Sequence, residues 1–123
     1  MVSPERYGDR LDAARYRDDE PVGAGLLAAK PGYEGWIWIP ERLFTRMQLL
    51  AAAYELHVLP RLDPLGDNVL DRERAGTLVD ELEFLARVVE DPLLLEHLEA
   101  LRDAALACTR SPFPDVPLAI EGP

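Results

Sequence analysis

The chain has 123 residues, 48% of them apolar, and a formal net charge of −10. That length supports one hydrophobic core without disulfide or metal staples, and a single cysteine, Cys108, excludes an internal disulfide. The negative field repels phosphate backbones and anionic lipid, which argues against nucleic acid or a membrane surface as partner and for a basic protein.

The opening stretch, MVSPERYGDRL, is charged and lacks an apolar h-region. No apolar run approaches the ~20 residues needed to span a bilayer, so the expected location is the cytoplasm. Residues 1–25 are polar and interrupted by Pro4, Gly8, Pro21, Gly23 and Gly25. Asp9–Arg17 has room for two helical turns, but Leu11, Ala14 and Tyr16 offer little apolar face, so this segment is expected to be a loosely attached arm. Gly23-Ala24-Gly25-Leu26-Leu27-Ala28 matches G-x-G-x-x-A, yet the polar residues Asp18, Asp19 and Glu20 precede it instead of a buried strand. A dinucleotide site requires that strand, and the match reads as chance.

Beyond Pro31-Gly32, Tyr33–Ile39 has strand chemistry, with Trp36 and Trp38 on one face and Ile37 and Ile39 on the other. A strand apolar on both faces is either central in a sheet or exposes its tryptophans, and tryptophan is a favoured binding hot spot. Glu41–Tyr54 is a helix by the repeat of Leu43, Met47, Leu50 and Tyr54. Leu56–Leu59, stopped by Pro60, reads as a short strand or a helical tail, and His57 as a surface or hydrogen-bonded residue and not a ligand. Arg61–Asp71 is rich in turns, and Asn68-Val69-Leu70 fits an edge strand. Asp63, Asp67 and Asp71 recur every four residues, which is not the ligand spacing of a calcium loop.

Residues 72–110 form two amphipathic helices around a break at Glu90-Asp91-Pro92, where Asp91 is an N-cap and Pro92 a first helical residue. Leu78, Leu82, Leu85 and Val89 make one seam, and Leu94, Leu98, Leu101, Ala105 and Cys108 the other. A break this short pairs the helices antiparallel, seam against seam. The first helix also carries Phe84 and Val88 off its seam. The second carries Glu96, Glu99 and Asp103 in one polar stripe, which is either a solvated face or an acidic docking ridge. Val116–Ile120 closes the chain as a strand that Pro117 would confine to a sheet edge.

The inventory for catalysis is thin: two histidines, one cysteine, and the serines Ser3 and Ser111 beside prolines. No nucleophile elbow, zinc helix, phosphate loop or C-x-x-C pair occurs, and the twelve arginines show no cluster along the chain. The expectation is a non-enzymatic chain without cofactor or metal.

Three stretches resemble a loosely defined group of small bacterial proteins: the turn Asp63-Pro64-Leu65-Gly66-Asp67-Asn68, the helical Leu78-Val79-Asp80-Glu81-Leu82, and the closing Leu118-Ala119-Ile120-Glu121-Gly122. Some members of that group are similar to immunity proteins that neutralise secreted toxins. The resemblance implies protein binding and carries over no contact residue.

The expected architecture is one α+β domain, mainly helical. Three helices, near 41–55, 72–90 and 92–109, pack on a small sheet of strands near 33–39, 56–60 and 116–120. The antiparallel pair 72–110 forms the core. The expected function is immunity-like masking of a basic protein partner, with Glu96, Glu99, Asp103, Trp36 and Trp38 as candidate contacts. The alternative is a self-associating helical module, a homodimer through Phe84 and the tryptophans. A small-ligand pocket lined by Trp36, Trp38 and Tyr54 is a third option.

Overall fold

Two aspartates set the frame of the helical layer in the computed structural model, which describes residues 4–123. Asp71 accepts from the N–H of Arg74 at 2.8 Å and opens helix α2, Arg72–Val88. Asp91 accepts from Leu93 and Leu94 and opens helix α3, Pro92–Thr109. Each carboxylate satisfies donors that the first turn leaves free. The α2–α3 interface is the most extensive in the fold, and Gly76 near the start of α2 lies beside Thr109 at the end of α3, so the pair is antiparallel. Leu78, Leu82, Leu85, Leu98, Leu101 and Cys108 are buried between them and the rest of the core, as the two seams require. Burial pushes the Cys108 thiol above its ordinary pKa.

Helix α1, Glu41–Ala53, joins this layer and buries Leu43, Phe44, Met47 and Ala51. It stops where Glu55 takes a left-handed conformation, φ 58°.

The sheet differs from expectation in three of its parts. It has four antiparallel strands in the order β2-β1-β4-β3: β1 Pro21–Leu26, β2 Ile37–Pro40, β3 Asp67–Leu70 and β4 Leu118–Glu121. The first correction concerns residues 1–25. Residues 21–25 are most of an interior strand, and Tyr16 ahead of them is a buried core residue, so the described part of this segment is not a loose arm. Met1, Val2 and Ser3 lie outside the described residues. Arg42 and Arg46 of α1 hold the segment through Asp19, the carbonyls of Arg10 and Arg15, and the Tyr16 hydroxyl.

The second correction concerns residues 56–60. They form no strand, and a single 3-10 turn spans Leu59–Arg61. Two buried side chains meet the backbone of this connection in place of a neighbouring strand. Glu81, 6% exposed, accepts from the N–H groups of His57, Val58 and Leu59 at 2.9–3.0 Å. Gln48 donates to the carbonyls of Leu59 and Leu62 at 3.1 and 2.7 Å. Buried peptide groups need such partners, and a loop supplied by side chains needs no ladder.

Third, β4 is interior, not an edge. Pro117 lies one residue before its first ladder position and offers only a carbonyl, which accepts from Leu27. The edge strands are β2, shorter than expected because 33–35 are turns and Trp36 lies outside the ladder, and β3, which covers the expected Asn68–Leu70.

The inner face of the sheet carries Val22, Ala24, Ile39, Leu70, Leu118 and Ile120, all in one core cluster with the helices. The turn before β3 is locked by Asn68, which accepts from the N–H of Asp63 and donates to the carbonyls of Asp63 and Ile120. A Cβ on Gly122 would stand 2.5 Å from the Leu65 carbonyl carbon, so the end of β4 can lie against this turn only as glycine.

Candidate protein-binding surface

Among the described residues no α-helix lies over the outer face of the sheet, and the way it is covered follows from two alternations of period two. Gly23 and Gly25 alternate outward along β1, and Trp38 stands opposite Gly23 in the register. A Cβ on Gly23 would come within 2.6 Å of Trp38 Cζ3, and one on Gly25 within 2.5 Å of Trp36 Cγ. The indoles therefore lie on the strand where side chains are missing, an arrangement in which aromatics compensate for glycine in a sheet. Trp36 is 7% exposed and donates its indole N–H to the Leu26 carbonyl at 3.0 Å. Trp38 is 49% exposed.

Tyr33 completes the cluster. Its ring meets Trp36 edge-on at 5.1 Å and Trp38 at 5.3 Å, while the two indoles are 6.1 Å apart. These separations suit favourable aromatic pairs, worth about 0.5–1.5 kcal/mol each. Tyr33 itself has φ 51°, an uncommon conformation for a bulky residue, and is 44% exposed.

Across the same face the row from Trp38 continues through Gly23 to Glu121 and Asp67. Two carboxylates directly opposite one another repel. Lys30 relieves this with a 2.9 Å ion pair to Glu121, and that hydrogen bond holds the lysine pKa above its ordinary value. Val69 and Leu65 are also exposed, at the β3 side.

The five expected contacts fall in two places. Trp36 and Trp38 are together on the outer sheet face, Trp36 as a buried support and Trp38 as an accessible ring. Glu96, Glu99 and Asp103 form an exposed stripe on α3, whose opposite side packs into the core against β1 and β2, so the stripe faces away from the aromatic cluster. Among the described residues only Asp103 of the stripe has an ion pair, to Arg102 at 3.3 Å. The expected pocket of Trp36, Trp38 and Tyr54 does not form. Tyr54 packs edge-on against Phe84 at 5.2 Å, at the junction of α1 and α2, while the tryptophans lie outside the sheet.

Tyr33, Asp67 and Glu121 belong to this surface without having been expected as contacts from the sequence. Their signal is the match of spacing between Gly23/Gly25 and Trp36/Trp38, which pairs the two stretches as neighbouring strands. Among the described residues no group of three or more His, Cys, Asp or Glu side chains is placed to hold a metal ion, and no helix is long and apolar enough to cross a membrane. Compared with family models, curated proteins and solved structures, the chain matches none.

Proposed function

We propose that the chain is a non-enzymatic protein-binding domain that masks a basic partner through the outer face of its sheet. The observation that supports this reading best is an aromatic cluster held on a bare sheet face, with Trp38 half exposed on the β2 edge and Glu121 and Asp67 in the same cross-strand row on β4 and β3. Aromatic anchors surrounded by polar groups are the usual centre of a binding patch. The net charge of −10 supplies long-range attraction for a cationic partner, and the stripe Glu96, Glu99 and Asp103 adds to it from the far side. The immunity-like resemblance fits the same reading. A second copy of the chain suits this face less well, because its own charge of −10 repels it.

The test is capture from native lysate at low and then high salt, followed by kinetics with the purified partner. Trp38→Ala is expected to weaken the complex by more than about 30-fold, mainly through faster dissociation. Charge reversal of Glu96, Glu99 and Asp103 is expected to slow association and leave dissociation unchanged. Equal affinity of wild type and Trp38→Ala would remove the sheet face as the contact. A sedimentation profile showing only concentration-dependent dimers, with no other protein captured, would replace masking by self-association.

A further inference from the structure

The sheet ends in two different edges. One bond beside each ladder fixes which peptide groups the strands use: Gly122 donates to the Gly66 carbonyl at 2.9 Å, Leu27 to Pro117 at 3.1 Å and Glu41 to Glu20 at 3.2 Å. Bonded pairs alternate along an antiparallel ladder. Asn68 and Leu70 therefore direct their N–H and C=O groups to β4, and Ile37 and Ile39 direct theirs to β1. The main-chain groups of Asp67 and Val69 on β3, and of Trp38 and Pro40 on β2, point out of the sheet.

The β2 edge is blunted. Pro40 has no N–H, and the N–H of Trp36 already donates to the Tyr33 carbonyl at 3.1 Å, so Trp38 alone keeps a main-chain donor for a neighbour. Natural sheets guard their edges by such means. The β3 edge has no such guard. Asp67 and Val69 present two N–H and two C=O groups at the spacing of a ladder, and among the described residues none of the four is bonded across this edge. Their side chains lie on the outer face, where Val69 is 55% exposed, and Leu65 in the turn before the strand is 66% exposed. Asp63, Asp67 and Asp71 stand before, on and after the strand. All three are exposed, and among the described residues none has an ion pair. The cations nearby are committed elsewhere, Lys30 to Glu121 and Arg72 to the Ser111 carbonyl.

We infer that an extended basic segment of the partner adds to β3 as a fifth strand of the sheet. This rests on the partner being basic, as the masking reading has it, and names how that partner is held. Main-chain bonds to Asp67 and Val69 supply affinity, and every second side chain of the added strand supplies specificity. A cation opposite Asp67 and an apolar residue opposite Val69 are the matching pairs. The added strand extends the outer face. Three strand spacings, roughly 14 Å, separate β3 from the Trp38 edge, which one interface of ordinary size spans. A second copy of the chain suits this edge less well, because it would bring two edges flanked by the same aspartates together.

The experiment is an NMR titration of the full chain at low salt with a capped peptide in which lysine and valine alternate at every second position, with threonine between them. Saturable binding with a dissociation constant below about 1 mM is expected, with slower hydrogen exchange at the Asp67 and Val69 amides. Val69→Pro removes one edge donor and leaves the bonds to β4 intact, so it is expected to melt near wild type and bind the peptide about tenfold or more weakly. The same loss is expected in wild type for a peptide N-methylated at its lysines and valines, which keeps charge and side chains and needs no variant to fold. The inference is overturned if the methylated peptide binds as its parent does, if neither amide is protected at saturation, or if millimolar peptide does not bind. No peptide binding together with a captured partner that still depends on Trp38 overturns the added strand and leaves the masking reading standing. Equal binding of a peptide with glutamate in place of lysine overturns the basic partner in both. Protection of the two amides that grows with protein concentration in the absence of peptide overturns the inference in favour of a second copy.

Discussion

The two faces of the sheet are built by opposite means. The inner face is six aliphatic side chains, Val22, Ala24, Ile39, Leu70, Leu118 and Ile120, sealed by three helices. On the outer face β1 contributes no side chain at Gly23 and Gly25, and the cover is made by Tyr33, Trp36 and Trp38 reaching across from the neighbouring segment. Burial on the inside is imposed by other elements of the fold. On the outside the sheet covers itself, incompletely, and the uncovered part is an indole. A strand apolar on both faces thus does not have to be central: β2 is an edge strand that uses one face for the core and the other for its own glycine-bearing neighbour.

Substitutions distinguish the two faces, and the largest effect is expected inside. Ile39 is fully buried opposite Val22. Ile39→Ala removes apolar contact and leaves a cavity that the helices cannot fill, at a cost of about 2–5 kcal/mol in urea unfolding. A loss well under 1 kcal/mol would mean that the inner face is loosely packed. On the outer face the informative change is an addition. Gly25→Ala ordinarily favours a strand by roughly 0.5–1 kcal/mol. Here the new methyl meets Trp36, which must lift, losing its bond to Leu26 and its burial, so the net effect is a loss of about 1–3 kcal/mol. Tryptophan emission should shift to the red in the same variant. A more stable protein with unchanged emission would show that the indole does not lie on the strand.

The same contrast explains what could be read from the sequence. Helices α1, α2 and α3 were legible because their seams repeat over three or more turns and because Asp91-Pro92 marks a start. Strand β1 was not, since two glycines in six residues look like a loop until the indoles that replace their side chains are placed beside them. Strand β4 was legible as a strand but not as an interior one, because the proline that signals an edge falls just outside the ladder. Glu81 gives no warning at all: among the acids of α2 only its position relative to the 57–59 connection makes it a buried acceptor. The cleft where Arg10 and Arg15 meet Arg42 and Arg46 of α1 was hidden for a similar reason, its residues coming from two distant segments. The turn 63–68, Glu81 within its L-x-x-E-L stretch and the closing Gly122 each have a local structural task. The motifs behind the immunity-like resemblance therefore speak to folding before they speak to a partner.

The smallest effect is electrostatic and belongs to the outer face alone. Lys30 sits against Glu121, with Asp67 adding attraction, and its pKa is raised above the ordinary value near 10.4, first of all by the Glu121 hydrogen bond. A lysine whose folded pKa exceeds its unfolded pKa contributes stability that is complete below the unfolded value and is lost as pH rises through the folded one. Wild type should therefore exceed Lys30→Met in urea stability by a constant margin from neutral pH to about pH 9, and the margin should close above about pH 11. Comparing the two proteins at each pH cancels the titration of tyrosines common to both. The margin should also shrink in high salt, as expected of an accessible pair. If it instead persists at pH 11, the margin does not come from the lysine charge, and the Glu121 pair adds nothing to an outer face held by its aromatic cover.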